Sequence, residues 1–137
     1  MSGESDLRRL LAGLDPLPRE GEYVFATLPD RKVPAGVEPV FLFDEDEGRT
    51  VVLPSDEARR AGLAGEFSCA WITLRVHSSL QAVGMMAAVA TALAEAGISC
   101  NAVSAYYHDH LFVPYDRAEE AVRVLRELAG RAARERE

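Results

Sequence analysis

Between Phe67 and Gly130 the apolar residues switch period repeatedly, and the order of the switches leaves few ways to fold. Ser68 to Val76 alternates, with Ile72, Leu74 and Val76 on one side and Trp71, Thr73 and Arg75 on the other, which predicts a strand. A helical period follows, with Leu80, Val83, Ala87, Ala90, Leu93 and Ala94 as the buried stripe. Ser78 or Ser79 is placed to cap that helix, and Gly97 to end it after Ala96. Ile98 to Tyr107 reads as a second strand, His108-Asp109-His110 as a tight turn, and Leu111 to Pro114 as a short third strand. Asp116 then caps a last helix, with Ala118, Ala121, Val122, Leu125 and Leu128 inward. Strand, helix, strand, hairpin, strand and helix is a split β-α-β sheet with both helices on one face. The complete layout has a fourth strand after the second helix, and none follows here. An uncovered edge invites pairing with other chains, so the first half is expected to supply the cover, through Glu22 to Leu28.

The first half is less regular. Ser5 to Gly13 predicts a short amphipathic helix with Leu7, Leu10, Leu11 and Leu14 on one face. Asp15 to Glu20, with Pro16 and Pro18, reads as a turn. Strand-like runs cover Glu22 to Leu28, Val37 to Phe43 and Arg49 to Leu53. The last two are joined by the acidic turn Asp44 to Gly48, and Ser55 is placed to cap a helix to about Arg60.

A chain of 137 residues forms one medium domain or two small, interlocked ones, and it can bury a core without metals or cross-links. Its net charge of -7, spread along the chain, repels phosphate backbones and argues against a nucleic-acid partner. Cys69 and Cys100 lie inside apolar runs, where burial as small hydrophobes in a reducing cytoplasm is expected. The first residues lack the apolar run of a signal peptide, and Val83 to Ala96 is too short to span a membrane, so a cytoplasmic location without membrane attachment is expected. Phosphate-loop, C-x-x-C, G-x-S-x-G and H-E-x-x-H patterns are absent, so neither a catalytic set nor a cofactor is expected.

The stretch from His77 to Leu125 resembles the ACT domain, the small regulatory module attached to many enzymes of amino-acid metabolism. The resemblance rests on the strand ending at His77, the helix ending Leu93-Ala94 ahead of the Ala96-Gly97-Ile98 join, and the hairpin that leads into Leu111-Phe112-Val113-Pro114. Val76-His77-Ser78-Ser79-Leu80 with Ala82-Val83-Gly84, together with Tyr106-Tyr107-His108-Asp109-His110 and Phe112-Val113-Pro114, is similar to a group of short bacterial proteins made of two tandem ACT-like units. The resemblance implies an α+β, ferredoxin-like (βαββαβ-type) sandwich in two interlocked units, an irregular leading one over 1–65 and a trailing one over 66–137. Where family members carry glycine between first strand and first helix, this chain has His77-Ser78-Ser79, with Gly84 a turn further on.

That resemblance implies a non-catalytic regulatory protein that senses an amino acid or similar small ligand at an interface between ACT-like units. The alternative is a dimerisation module with no ligand. A homodimer is expected, as is a partner enzyme or regulator. Antiparallel pairing of the first and third strands would bring His77 near His108 and His110. Ser78 and Ser79 would sit at a helix N-terminus, where free N–H groups favour a carboxylate. Leu80, Gly84, Asn101, Ala102, Val103 and Ser104 complete the candidate ligand-contact set. A metal site is not expected from this histidine and aspartate pattern. Trp71, Thr73, Val103 and Tyr107 are expected on the open face of the sheet.

Overall fold

The computed structural model describes residues 6–135. In chain order the elements are α1 (Leu7–Ala12), β1 (Pro16–Pro18), β2 (Tyr23–Leu28), β3 (Phe41–Glu45), β4 (Gly48–Pro54), α2 (Ser55–Arg60), β5 (Glu66–Leu74), α3 (Met85–Glu95), β6 (Asn101–Ser104), β7 (Asp109–Pro114) and α4 (Ala118–Arg134), with a 3₁₀ turn at Tyr115–Arg117. The chain divides into two compact units, one made of residues up to Glu20 and from Ala70 onward, the other of Gly21–Cys69. The boundary falls inside β5.

In the first of these units the strands lie in the order β1-β5-β7-β6. This is the order of a βαββαβ sheet whose closing strand has been supplied by the N-terminal segment. β1 runs antiparallel to β5 with Pro16 opposite Leu74, Leu17 opposite Thr73 and Pro18 opposite Ile72. The edge is therefore covered by Pro16–Pro18, a segment that reads as a turn, and not in this unit by Glu22 to Leu28. Two prolines make a strand here because they fall at alternate positions. Asp15 and Arg19 carry the flanking ladder bonds, Arg75 N–H to Asp15 O at 3.3 Å and Arg19 N–H to Trp71 O at 2.8 Å. The missing proline N–H groups point away from β5, as an edge strand allows.

Helices α1, α3 and α4 cover one face of this sheet, and the core between them contains Leu10, Leu14, Ile72, Leu74, Val89, Leu93, Leu111 and Leu125, all fully buried. Gly97 closes α3 at φ +73, with Gly97 N–H donating to Ala94 O at 2.9 Å and Ile98 N–H to Leu93 O at 2.9 Å. These are the paired bonds of a Schellman cap. Arg117 then ties that terminus to α4, donating to Ala96 O at 3.0 Å, Gly97 O at 3.2 Å and Glu120 Oε1 at 2.7 Å. Asp116 lies within the 3₁₀ turn and does not cap α4; Arg117 occupies that position without a side-chain cap.

The second unit orders its strands β3-β4-β2-β5, using only the start of β5, where Tyr23 pairs with Cys69 and Phe25 with Glu66. It is the same layout with the first helix replaced by the segment 29–40. That segment contributes Val33 and Val37 to a small core of Val24, Ala26, Leu28, Val51, Leu53 and Ala58. Pro29, Pro34 and Pro39 keep it from being helical, and β3 starts at Phe41 instead of Val37. Asp46-Glu47 turns between β3 and β4, and Arg31 clamps it, donating to Glu45 O at 2.7 Å and Asp46 O at 3.2 Å. Ser55 is the first residue of α2, not its cap, and its N–H donates to Glu22 O at 2.9 Å. A side chain at Gly65 would place its Cβ 2.6 Å from Val24 Cγ2, so glycine is required where the chain re-enters at β5.

Candidate functional site

The trailing unit differs from its sequence reading most between β5 and α3. The helix starts at Met85, not at Ser78 or Ser79. Ser79 Oγ instead accepts from Gln81 N–H at 3.1 Å and Ser79 O from Ala82 N–H at 3.0 Å, a local turn that competes with helix formation. Gly84, at φ +99, then turns the chain into α3. The buried stripe is accordingly Met85, Val89 and Leu93, while Leu80 and Val83 are 68% and 82% exposed. Of the residues expected in the stripe, Leu93 is fully buried, whereas Ala87, Ala90 and Ala94 are exposed. The loop between first strand and first helix thus does contain a glycine, at its junction with the helix.

The first intrahelical bond of α3 runs from Ala88 N–H to Gly84 O at 3.0 Å, so the N–H groups of Met85, Met86 and Ala87 have no acceptor within the helix. Met85, Met86 and Ala87 help line a pocket of about 240 Å³ that is also lined by Ser78, Ser79, Leu80, Gly84, Ser104 and Asp109. Asp109 is 6% exposed, and Ser78 Oγ donates to its Oδ2 at 3.2 Å. It lies opposite Ser104 in the β6–β7 register and shares the helix-side face with Leu111 and Val113. Sequence reading places Asp109 in a turn. The turn is 105–108, closed by Ala105 N–H to His108 O at 2.9 Å, and Asp109 and His110 belong to β7. The period-two relation of Asp109 to Leu111 and Val113 is the signal that marks it as inward-facing.

The remaining candidates lie elsewhere. Asn101 pairs with Phe112 and Val103 with His110, which places them on the sheet face opposite Ala102 and Ser104. His110 forms a second cluster on that face. Trp71 Nε1–H donates to His110 Nδ1 at 3.0 Å, Thr73 Oγ1 lies 3.1 Å from the same nitrogen, and Arg19 Nε donates to Thr73 Oγ1 at 3.1 Å. The Arg19 guanidinium also sits 5.0 Å from the Trp71 ring centroid. Indole can only donate, so the imidazole proton resides on Nε2. Burial, with His108 and Arg19 nearby, pushes the His110 pKa below its ordinary value; Asp109 opposes this. His77 packs on Tyr107 with ring centroids 5.5 Å apart, and His108 meets His110 at 6.4 Å. The three histidines do not form one ligand set: among the described residues no group of three or more His, Cys, Asp or Glu is arranged to hold a metal ion. Burial pushes the Cys69 and Cys100 thiols up to about 12 and about 11, which leaves them protonated and unreactive at neutral pH.

Two ACT-domain family models match the chain, one over residues 2–70 and another over 66–127. The chain belongs to the ACT domain family. It carries two such domains in tandem, in the α+β arrangement described above. A crystal structure of a Vibrio cholerae protein of unknown function, described as a possible transport protein, is 43% identical, with 90% of this chain and 95% of that one covered at a TM-score of 0.80. An Agrobacterium tumefaciens protein is 21% identical over 83% and 87% of the two chains, TM-score 0.66. The regulatory subunit of aspartate kinase from Thermus thermophilus shares the fold at 12% identity, covering 85% and 97% at a TM-score of 0.62. No curated protein matches the chain. ACT domains are regulatory modules, and both matches are to such domains. Among the described residues no helix is long and apolar enough to cross a membrane.

Proposed function

We propose that this protein is a cytoplasmic, non-catalytic sensor that binds a free amino acid in the pocket at the start of α3 and passes its bound state to a partner enzyme or regulator. One juxtaposition supports the reading. The first residues of α3, Met85, Met86 and Ala87, whose N–H groups have no acceptor within the helix, and a buried carboxylate, Asp109, line the same pocket of about 240 Å³. A zwitterion fits such a pair of poles. Its carboxylate would accept from Met85, Met86 and Ala87, with the helix dipole favouring the negative charge. Its ammonium would donate to Asp109 and Ser104. The volume lies below the roughly 300–1,000 Å³ of drug-sized sites and suits one small metabolite.

A thermal-shift screen of the twenty amino acids tests this reading. A ligand at a hundredfold excess over its Kd adds about 2.7 kcal/mol to the folded state. For a chain of this length that raises the melting midpoint on the order of 10 °C. Asp109→Asn should weaken the responding ligand by about 10- to 100-fold, the loss of one charge-assisted hydrogen bond. No response from any amino acid at millimolar concentration would contradict the proposal.

A further inference from the structure

A groove of about 730 Å³ runs along the outer surface of α4, with Pro18 of β1 on its rim. Two rows of helix residues line it, each spaced by four. One row is Ala118, Val122, Arg126, Gly130 and Arg134; the other is Glu119, Arg123, Glu127 and Arg131. In the second row each glutamate stands four residues ahead of an arginine, so that row can neutralise itself along the helix. The first row cannot. Arg126 has Val122, Arg123, Ala129 and Gly130 at three- and four-residue spacing, and among the described residues neither it nor Arg134 enters a salt bridge. On a chain of net charge -7, the groove thus holds four arginines against two glutamates. Its two unmatched cations are exposed and stand about 12 Å apart along the helix axis.

Gly130 adds an independent observation. Glycine inside a helix weakens it relative to alanine, and among the described residues no packing requires it. A Cβ built at Gly130 would meet only Arg134 Nη1, at 3.4 Å. With Ala118 and Val122 in the same row, Gly130 leaves a low, uncharged floor that another backbone can approach closely. That backbone is not an added strand. β1 turns the sides of Pro16 and Pro18 that lack an N–H away from β5, so this edge offers carbonyls without donors. A helix, in contrast, seats between rows spaced by four residues. A phosphate backbone is disfavoured by Glu119, Glu127 and the charge of the whole chain. We propose that this groove docks an acidic helix of another protein, with a small residue over Gly130 and carboxylates about two helical turns apart reaching Arg126 and Arg134. The inference goes beyond the amino-acid pocket and does not rest on it.

Fluorescence anisotropy with a labelled, alanine-based helical peptide tests it. The peptide carries glutamates about two turns apart on one face with alanine between them, and a control carries lysines in their place. The full chain should bind the glutamate peptide saturably, bind the lysine peptide at least tenfold more weakly, and lose affinity as salt is added. Arg126→Glu should weaken the glutamate peptide at least tenfold through charge. Gly130→Leu should do the same by filling the floor, with circular dichroism confirming that both variants remain folded. No binding of the glutamate peptide, equal binding of both peptides, or binding indifferent to both variants would overturn the proposal. So would capture of duplex DNA or phosphatidylserine vesicles in preference to the peptide.

Discussion

His110 illustrates how one hydrogen bond fixes a charge state. Trp71 offers an N–H to Nδ1 and Arg19 holds Thr73 beside it, so a second proton on the ring would face a donor and lie near a cation. Burial, with His108 and Arg19 nearby, lowers the folded pKa, while the unfolded value stays near about 6.5. Above that pH the interaction contributes its full stability. As pH falls through it, the unfolded chain takes up a proton before the folded one does, and stability is lost until the folded pKa is passed. His110→Asn keeps an acceptor for Trp71 and removes the titration. Urea unfolding followed by Trp71 fluorescence should show wild type losing stability relative to His110→Asn as pH drops below about 6.5; parallel curves would contradict the assignment. Gly84 makes the companion case. At φ +99, with Leu7 Cδ2 3.3 Å from where a Cβ would stand, Gly84→Ala should cost about 1–2 kcal/mol in the same assay.

At the scale of elements, the N-terminal segment is part of the trailing domain's sheet. Leu10 and Leu14 are fully buried with Ile72 and Leu125, so Leu14→Ala should cost about 2–5 kcal/mol, measurable by urea unfolding. Deleting residues 1–20 should do more, since it uncovers the β5 edge, and the truncated chain should aggregate where the full chain does not. The order of strands and helices after Phe67 was legible in the sequence because each element carried its own period. The closing strand was not, because Pro16 and Pro18 are local turn signals and their edge position is set by a partner strand distant in sequence. The start of α3 was misread for a related reason. Leu80 and Val83 fit a helical stripe, but Ser79 closes a local turn and Gly84 takes up a left-handed conformation, which moves the helix start to Met85.

For the molecule as a whole, two ACT domains share one strand's length, with Glu66–Cys69 serving one and Ala70–Leu74 the other. The candidate site was partly legible. Ser78, Ser79, Gly84 and Ser104 do line one pocket, but Asn101, Val103 and His110 lie on the other face of their sheet, since a strand alternates sides and a list of neighbouring residues does not. Asp109, the buried carboxylate of that pocket, was hidden in what read as a turn. The central claim is that an amino acid binds between Asp109 and the free N–H groups of α3. Backbone amide shifts of ¹⁵N-labelled protein, followed while titrating the amino acid that gives the largest thermal response, test it most directly. The largest changes should fall at Met85, Met86 and Ala87, with Asp109 and Ser104 next. Saturable changes confined to α4 or to the strands of the leading domain, with those amides unmoved, would contradict it.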